Sequence, residues 1–75
     1  MFINITIEAG SVKHDIRIDS EQVIMQALLV LRQSNKMPDG HAPDYFHSSL
    51  NQRPVSAYKT FAEEHIYDGD ILSAI

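Results

Sequence analysis

The sequence predicts an α+β domain, a mixed sheet of four to five strands with one main helix packed across it. Three observations carry that prediction: apolar residues alternate with polar ones over residues 2–8 and again over 12–18, a helical period follows over about 21–34, and the chain closes on a short apolar run. Seventy-five residues suit one domain, residues 1–75, with one modest core. Apolar residues at 44% and charged residues at 21% place the chain among globular sequences rather than disordered ones.

The first strand places Ile3, Ile5 and Ile7 on one face and Phe2, Asn4, Thr6 and Glu8 on the other. Ala9-Gly10-Ser11 supplies a turn, with Gly10 free to take positive φ. In the second strand Val12, His14, Ile16 and Ile18 face inward and Lys13, Asp15 and Arg17 outward, which completes a hairpin. Asp19 and Ser20 are good N-caps, and Gln22 stands three residues after Asp19 as in a capping box, so a helix is expected from about Glu21 to Ser34. Asn35 and Pro38 would end it. Val23, Ile24, Ala27, Leu28 and Leu31 share its inward face, with Val30 at the margin.

Residues 35–44 contain two prolines and a glycine without a sustained period and read as a loop. Tyr45 to Leu50 reads as a strand, and Pro54-Val55-Ser56 as a short edge strand, where proline is tolerated. Thr60 caps a brief helical turn that carries Phe61 and Ile66 into the core. Asp68-Gly69-Asp70 forms a turn, and Ile71 to Ile75 forms the last strand. A hairpin, one helix, then further strands ending in one beside the first is the β-grasp plan.

Composition excludes several function classes. With no cysteine there is no disulfide, no thiolate nucleophile and no usual ligand for an iron–sulfur cluster or structural zinc. The net charge is −4 and the six basic residues are scattered, so nucleic acid is not an expected partner. No apolar run reaches the length of a membrane span and the N-terminus lacks a signal pattern, which predicts a cytoplasmic protein without direct membrane insertion.

His14, His41, His47 and His65 lack metal-ligand spacing, and Asp68 with Asp70 makes an incomplete cation loop, so neither a metal nor a cofactor is expected. Ser48, His47 and Asp44 are near-neighbours on one strand, which aims alternate side chains at opposite faces and prevents a catalytic triad from converging. The expectation is a protein that is not an enzyme.

Over nearly the whole chain the residues resemble the YukD/EsaB-like ubiquitin-like proteins of bacterial type VII (WXG-type) secretion systems. The resemblance lies in the opening Met1-Phe2-Ile3-Asn4-Ile5-Thr6-Ile7, the helix leading to Met37-Pro38, the aromatic strand from Tyr45, and the closing Ile66-Tyr67-Asp68-Gly69-Asp70-Ile71-Leu72. It implies a ubiquitin-like β-grasp fold and a small non-enzymatic accessory or regulatory component, cytoplasmic or recruited to the inner face of the membrane by a protein partner. That partner would be a membrane component or the ATPase of the secretion system. The chain departs from the commoner family pattern in its short first hairpin loop and in His47 and Ser48. Conjugation is not expected, because the sequence closes on Leu72-Ser73-Ala74-Ile75 rather than on a flexible Gly-Gly tail.

Two surfaces are candidates for protein binding. Phe2 is out of phase with the Ile3, Ile5, Ile7 face. The resemblance implies that Leu72 and Ala74 point inward, which would set Ile71 outward beside Phe2 on the neighbouring strand. Tyr45 and His47 extend the same surface, so that Phe2, Tyr45, His47 and Ile71 form the main candidate on the outer sheet face. Met25 and Leu29 lie one turn apart on the helix opposite its core face, among Gln22, Gln26 and Gln33, and form a secondary patch. That patch suits a self-associating structural module, a homodimer, which with an adaptor of an unrelated system stands as the alternative reading.

Overall fold

The computed structural model describes residues 1–33 and 43–74. Its elements are β1 (Phe2–Ala9), β2 (Val12–Asp19), α1 (Ile24–Gln33), β3 (Tyr45–Ser48), β4 (Arg53–Ser56) and β5 (Ile71–Ala74). They form one five-stranded sheet in the order β2-β1-β5-β3-β4. β1 and β5 run parallel, whereas the β1–β2, β3–β5 and β3–β4 pairs are antiparallel, so the sheet is mixed as the sequence predicts.

The hairpin follows from its alternation and its turn. Gly10 takes φ +62°, a left-handed conformation that costs glycine nothing, and Ala9 then pairs with Val12 to set the register that puts Ile3, Ile5 and Ile7 inward together. The helix contributes Ile24, Ala27, Leu28 and Leu31 to the same core, and Phe46, Val55, Ala57, Phe61, Ile66 and Leu72 complete it. Ile16 and Ile18 of β2 pack against the core's margin.

The helix begins at Ile24, three residues later than the sequence suggests. Asp19 does bond the next turn, but as an Asx-type turn: its Oδ1 accepts the Glu21 N–H at 3.0 Å and its carbonyl accepts the Gln22 N–H at 3.0 Å. Val23 then bridges to Thr60. The first free helical donors are satisfied by distant backbone, Ile24 N–H to the Lys59 carbonyl at 3.0 Å and Met25 N–H to the Ala57 carbonyl at 2.8 Å. The expected helix end at Ser34 to Asn35 and most of the loop over 35–44 lie outside the described residues.

β3 stops at Ser48, before the expected Leu50, because the chain turns tightly there: the Gln52 N–H donates to the Ser48 carbonyl at 2.8 Å. β4 is an edge strand and carries Pro54, as expected. Thr60 and Glu63 form a reciprocal cap, with the Glu63 N–H on Thr60 Oγ1 at 3.0 Å and the Thr60 N–H on Glu63 Oε1 at 2.9 Å. The turn so nucleated buries Phe61 and Ile66 completely.

Candidate functional site

Strand registers place the candidate residues in transverse rows across the outer face of the sheet. Phe2 lies beside Asp19 in the first row, and Asn4 beside Arg17 in the next. Asp15, Thr6 and Ile71 make the third row, and Lys13, Glu8, Ser73, His47 and Pro54 the fourth. Tyr45 and its neighbour Ser56 lie beyond. Phe2, Tyr45, His47 and Ile71 therefore share one exposed face, with Phe2 61%, Tyr45 56% and Ile71 37% exposed.

The four residues do not form one patch. Ile71 pairs with Thr6, four residues along β1 from Phe2, a separation of roughly 13 Å along the strand. Phe2 instead lies under the Arg17 guanidinium, 5.3 Å from its ring centre. Ile71, His47 and Tyr45 form a diagonal stripe: His47 is paired with Ser73, two residues from Ile71, and Tyr45 follows it by two on the same face of β3. The expectation that Ile71 lies beside Phe2 is thus corrected by the register of the parallel pair.

Between them runs a polar ladder. Lys13 Nζ lies 3.2 Å from Glu8 Oε2, Ser73 Oγ donates to Glu8 Oε1 at 3.0 Å, and Thr6 Oγ1 donates to Asp15 Oδ1 at 2.5 Å. The Ser73 hydroxyl first, and the Lys13 ammonium with it, hold the Glu8 carboxyl below the usual range. At the end of the ladder the Glu21 N–H, and then the terminal amine, lower Asp19 in the same way. This face offers a partner one apolar and aromatic stripe bordered by fixed hydrogen-bonding groups.

The secondary patch divides. Leu29 is 46% exposed, but Met25 is partly buried and packs against the core, contrary to its expected place on the opposite face. Met25 precedes buried Leu28 by three residues on the helix, and its N–H donates to the carbonyl of buried Ala57 at 2.8 Å. Val30, 61% exposed, is the other apolar residue that the helix leaves open.

The Ser48, His47 and Asp44 side chains do not converge into a triad. Ser48 points into the core and His47 away from it, while Asp44 accepts a hydrogen bond from the Tyr58 hydroxyl, which raises the Tyr58 phenol above its usual value. Asp68 and Asp70 also diverge. Asp68 Oδ1 accepts the Asn4 N–H at 2.7 Å and Asn4 Nδ2 at 3.2 Å, whereas Asp70 is fully buried. Among the described residues no group of three His, Asp or Glu side chains could hold a metal ion, and no helix is long and apolar enough to cross a membrane.

Asp70 is the feature the sequence analysis missed. Its Oδ2 accepts the Ser48 hydroxyl at 2.6 Å and its Oδ1 the N–H groups of Leu50 at 3.0 Å and Ile71 at 2.7 Å. Asn51 closes the knot, donating from its backbone N–H and from Nδ2 to Ser48 Oγ at 3.2 and 3.1 Å, and from Nδ2 to the His65 carbonyl at 2.9 Å. The available signal was Ser48 in the inward phase of its strand, two residues after Phe46, where a buried hydroxyl demands a partner. The knot fixes β5 against the β3–β4 turn and so positions Ile71 on the outer face.

No protein-family model matches the chain, and no curated protein matches it. Among solved structures, the chain is similar to the EccD5 ubiquitin-like domain from Mycobacterium xenopi, with 20% identity and a TM-score of 0.61 over 100% of this chain and 93% of that one. It is one of 11 solved chains that match. With its five-stranded mixed sheet, single main helix and last strand parallel to the first, this chain has the ubiquitin-like β-grasp fold.

Proposed function

We propose that this domain is a non-enzymatic protein-binding accessory or regulatory component of a type VII-like secretion system, acting on the cytoplasmic side and brought to the membrane by its partner. The observation that carries the reading is the full-length structural likeness to the EccD5 ubiquitin-like domain, a component of a mycobacterial type VII secretion system. The resemblance of the sequence to YukD/EsaB-like proteins points the same way. The partner is a membrane component or the ATPase of that system, and it docks on the stripe of Ile71, His47 and Tyr45, with Phe2 as a separate contact at the end of the sheet. Large apolar and aromatic residues bordered by polar groups suit such docking, because interface energy concentrates in a few anchors. The helix-mediated homodimer has less support, since Met25 packs against the core.

The test is genetic and then structural. Deleting the gene should impair export of the small WXG-type substrates, and a Tyr45→Ser/Ile71→Ser copy, folded as judged by its melting temperature, should fail to restore it. Leu29→Ser should restore it. Normal export from the deletion strain would refute the secretion role, and full rescue by the Tyr45→Ser/Ile71→Ser copy would move the docking surface elsewhere.

A further inference from the structure

The two edges of the sheet differ. β4 is four residues long and contains Pro54, which blunts it against another strand. β2 is eight residues long and has no proline, and among the described residues no strand pairs with its outer side. Its even residues bond to β1: the ladder runs through pairs such as Ile18 with Ile3, and continues in the Ser20 N–H on the Met1 carbonyl at 2.8 Å. By the alternation of an antiparallel ladder, the outward-facing N–H and C=O groups belong to Lys13, Asp15, Arg17 and Asp19. Those four residues carry alternating charge, plus, minus, plus, minus.

We propose that β2 is the pairing edge of a homodimer, in which a second copy adds its own β2 antiparallel, with Ile16 facing Ile16 on the two-fold axis, to make one continuous ten-stranded sheet. A two-fold axis perpendicular to the sheet keeps the same face outward in both copies and pairs odd residues with odd. Centred on Ile16, it sets Lys13 against Asp19 of the second copy and Asp15 against Arg17 of the second copy, each pair occurring twice. Every outward pair is then of opposite sign, and these same residues own the outward backbone groups; with the Asp19 carbonyl already taken by the Gln22 N–H, the pairing gives about six main-chain hydrogen bonds.

The neighbouring registers are refused. Moving the axis by one residue in one direction sets Lys13 against Arg17 and Asp15 against Asp15; in the other it sets Asp15 against Asp19 and Arg17 against Arg17. Both make like-charge rows. An axis on His14 restores opposite signs but leaves two charged pairs instead of four, so the charge order favours the register centred on Ile16. Beneath it lies an apolar groove of about 290 Å³ between β2 and α1, lined by Ile16, Ile18, Ala27, Val30 and Leu31 among others. In the dimer the two grooves meet across the axis, which gives the exposed Val30 apolar surroundings.

Sedimentation equilibrium of the protein from about 10 µM to about 1 mM, with backbone amide exchange on the same samples, tests the pairing. The mass should rise toward that of two chains, more so at low salt, and exchange of the Lys13, Asp15, Arg17 and Asp19 amides should slow with concentration. Asp15→Arg and Arg17→Asp should each weaken self-association at least about tenfold, since each makes both central pairs alike in sign. Mixed together, the two variants should dimerise with each other, because Arg at 15 then meets Asp at 17 and Arg17 meets Asp15. Melting temperatures close to the parent's show that each variant is folded. A monomer throughout the range overturns the proposal and leaves the edge to a strand of another protein. So does a dimer whose odd β2 amides exchange freely, or a mixture that fails to associate.

Discussion

Replacing Asp70 by Ala removes the carboxylate that accepts from three donors at once: the buried Ser48 hydroxyl and the backbone N–H groups of Leu50 and Ile71. Leaving a buried donor without a partner costs about 1–3 kcal/mol. The hydroxyl is wholly enclosed, while both amides belong to residues with exposed side chains and can recover part of their loss from water. The expected cost of Asp70→Ala is therefore about 2–4 kcal/mol, against a total of about 4–11 kcal/mol for a domain of this size. In urea, where small domains show slopes near about 1 kcal/mol/M, the midpoint should fall by about 2 M or more with the slope unchanged. Asp70→Asn makes the sharper comparison. Its oxygen can keep both amides, but its NH2 meets a Ser48 oxygen already receiving two bonds from Asn51, so it should lose about 1 kcal/mol. Ser48→Ala combined with Asp70→Ala should cost less than the two separately, because the pair shares one hydrogen bond. A midpoint shift below about 0.5 M for Asp70→Ala would refute the view that this knot holds the last strand.

Two further outcomes follow from packing and charge. Leu28→Ala should cost about 2–5 kcal/mol and Leu29→Ala under about 1 kcal/mol in the same titration, because Leu28 is buried and Leu29 is not; equal losses would contradict the helix phase. Stability should also fall on acidification. The Thr60 N–H holds Glu63 below its ordinary 4.5, and the Glu21 N–H holds Asp19 below 3.8, so the stability these carboxyls lend is complete above those values and is lost as pH drops through their lowered folded values. Glu63→Gln should flatten that fall in urea midpoints measured from about pH 6 to about pH 3; an unchanged slope would show that the Thr60 cap contributes nothing.

Most of the fold was legible because two-residue and 3.6-residue periods are properties of local sequence. Ile3, Ile5 and Ile7 announce the inward face of β1, and Ile24, Leu28 and Leu31 that of α1, without any reference to the rest of the chain. What escaped depends on partners distant in sequence. The Asp19 cap looked complete, yet the helix waits for Lys59 and Ala57, whose carbonyls carry no sequence signal. For the binding face, the phase of Phe2, Tyr45, His47 and Ile71 was readable but their spacing was not. Whether Ile71 lies beside Phe2 or beside Thr6 is decided by the register of a parallel pair, which the Asp70 knot and the Gly69 turn, at φ +90°, establish between them.

The backbone cap on α1 also bears on the order in which the molecule folds. The β1–β2 hairpin closes through near neighbours and can form as soon as residue 19 exists. The helix cannot follow on its own account: ten residues are too few for an isolated helix in water, and its leading donors are satisfied by residues 57 and 59. β1 meanwhile stays open on the side that β5 will occupy until residue 71 arrives. During synthesis, then, the inward face of the β1–β2 segment lacks its cover until the later elements arrive, and a hairpin alone is only marginally stable in water. The sheet and the helix cap are complete only once the 57–60 segment and then β5 have emerged, so closure of the core is expected late in synthesis.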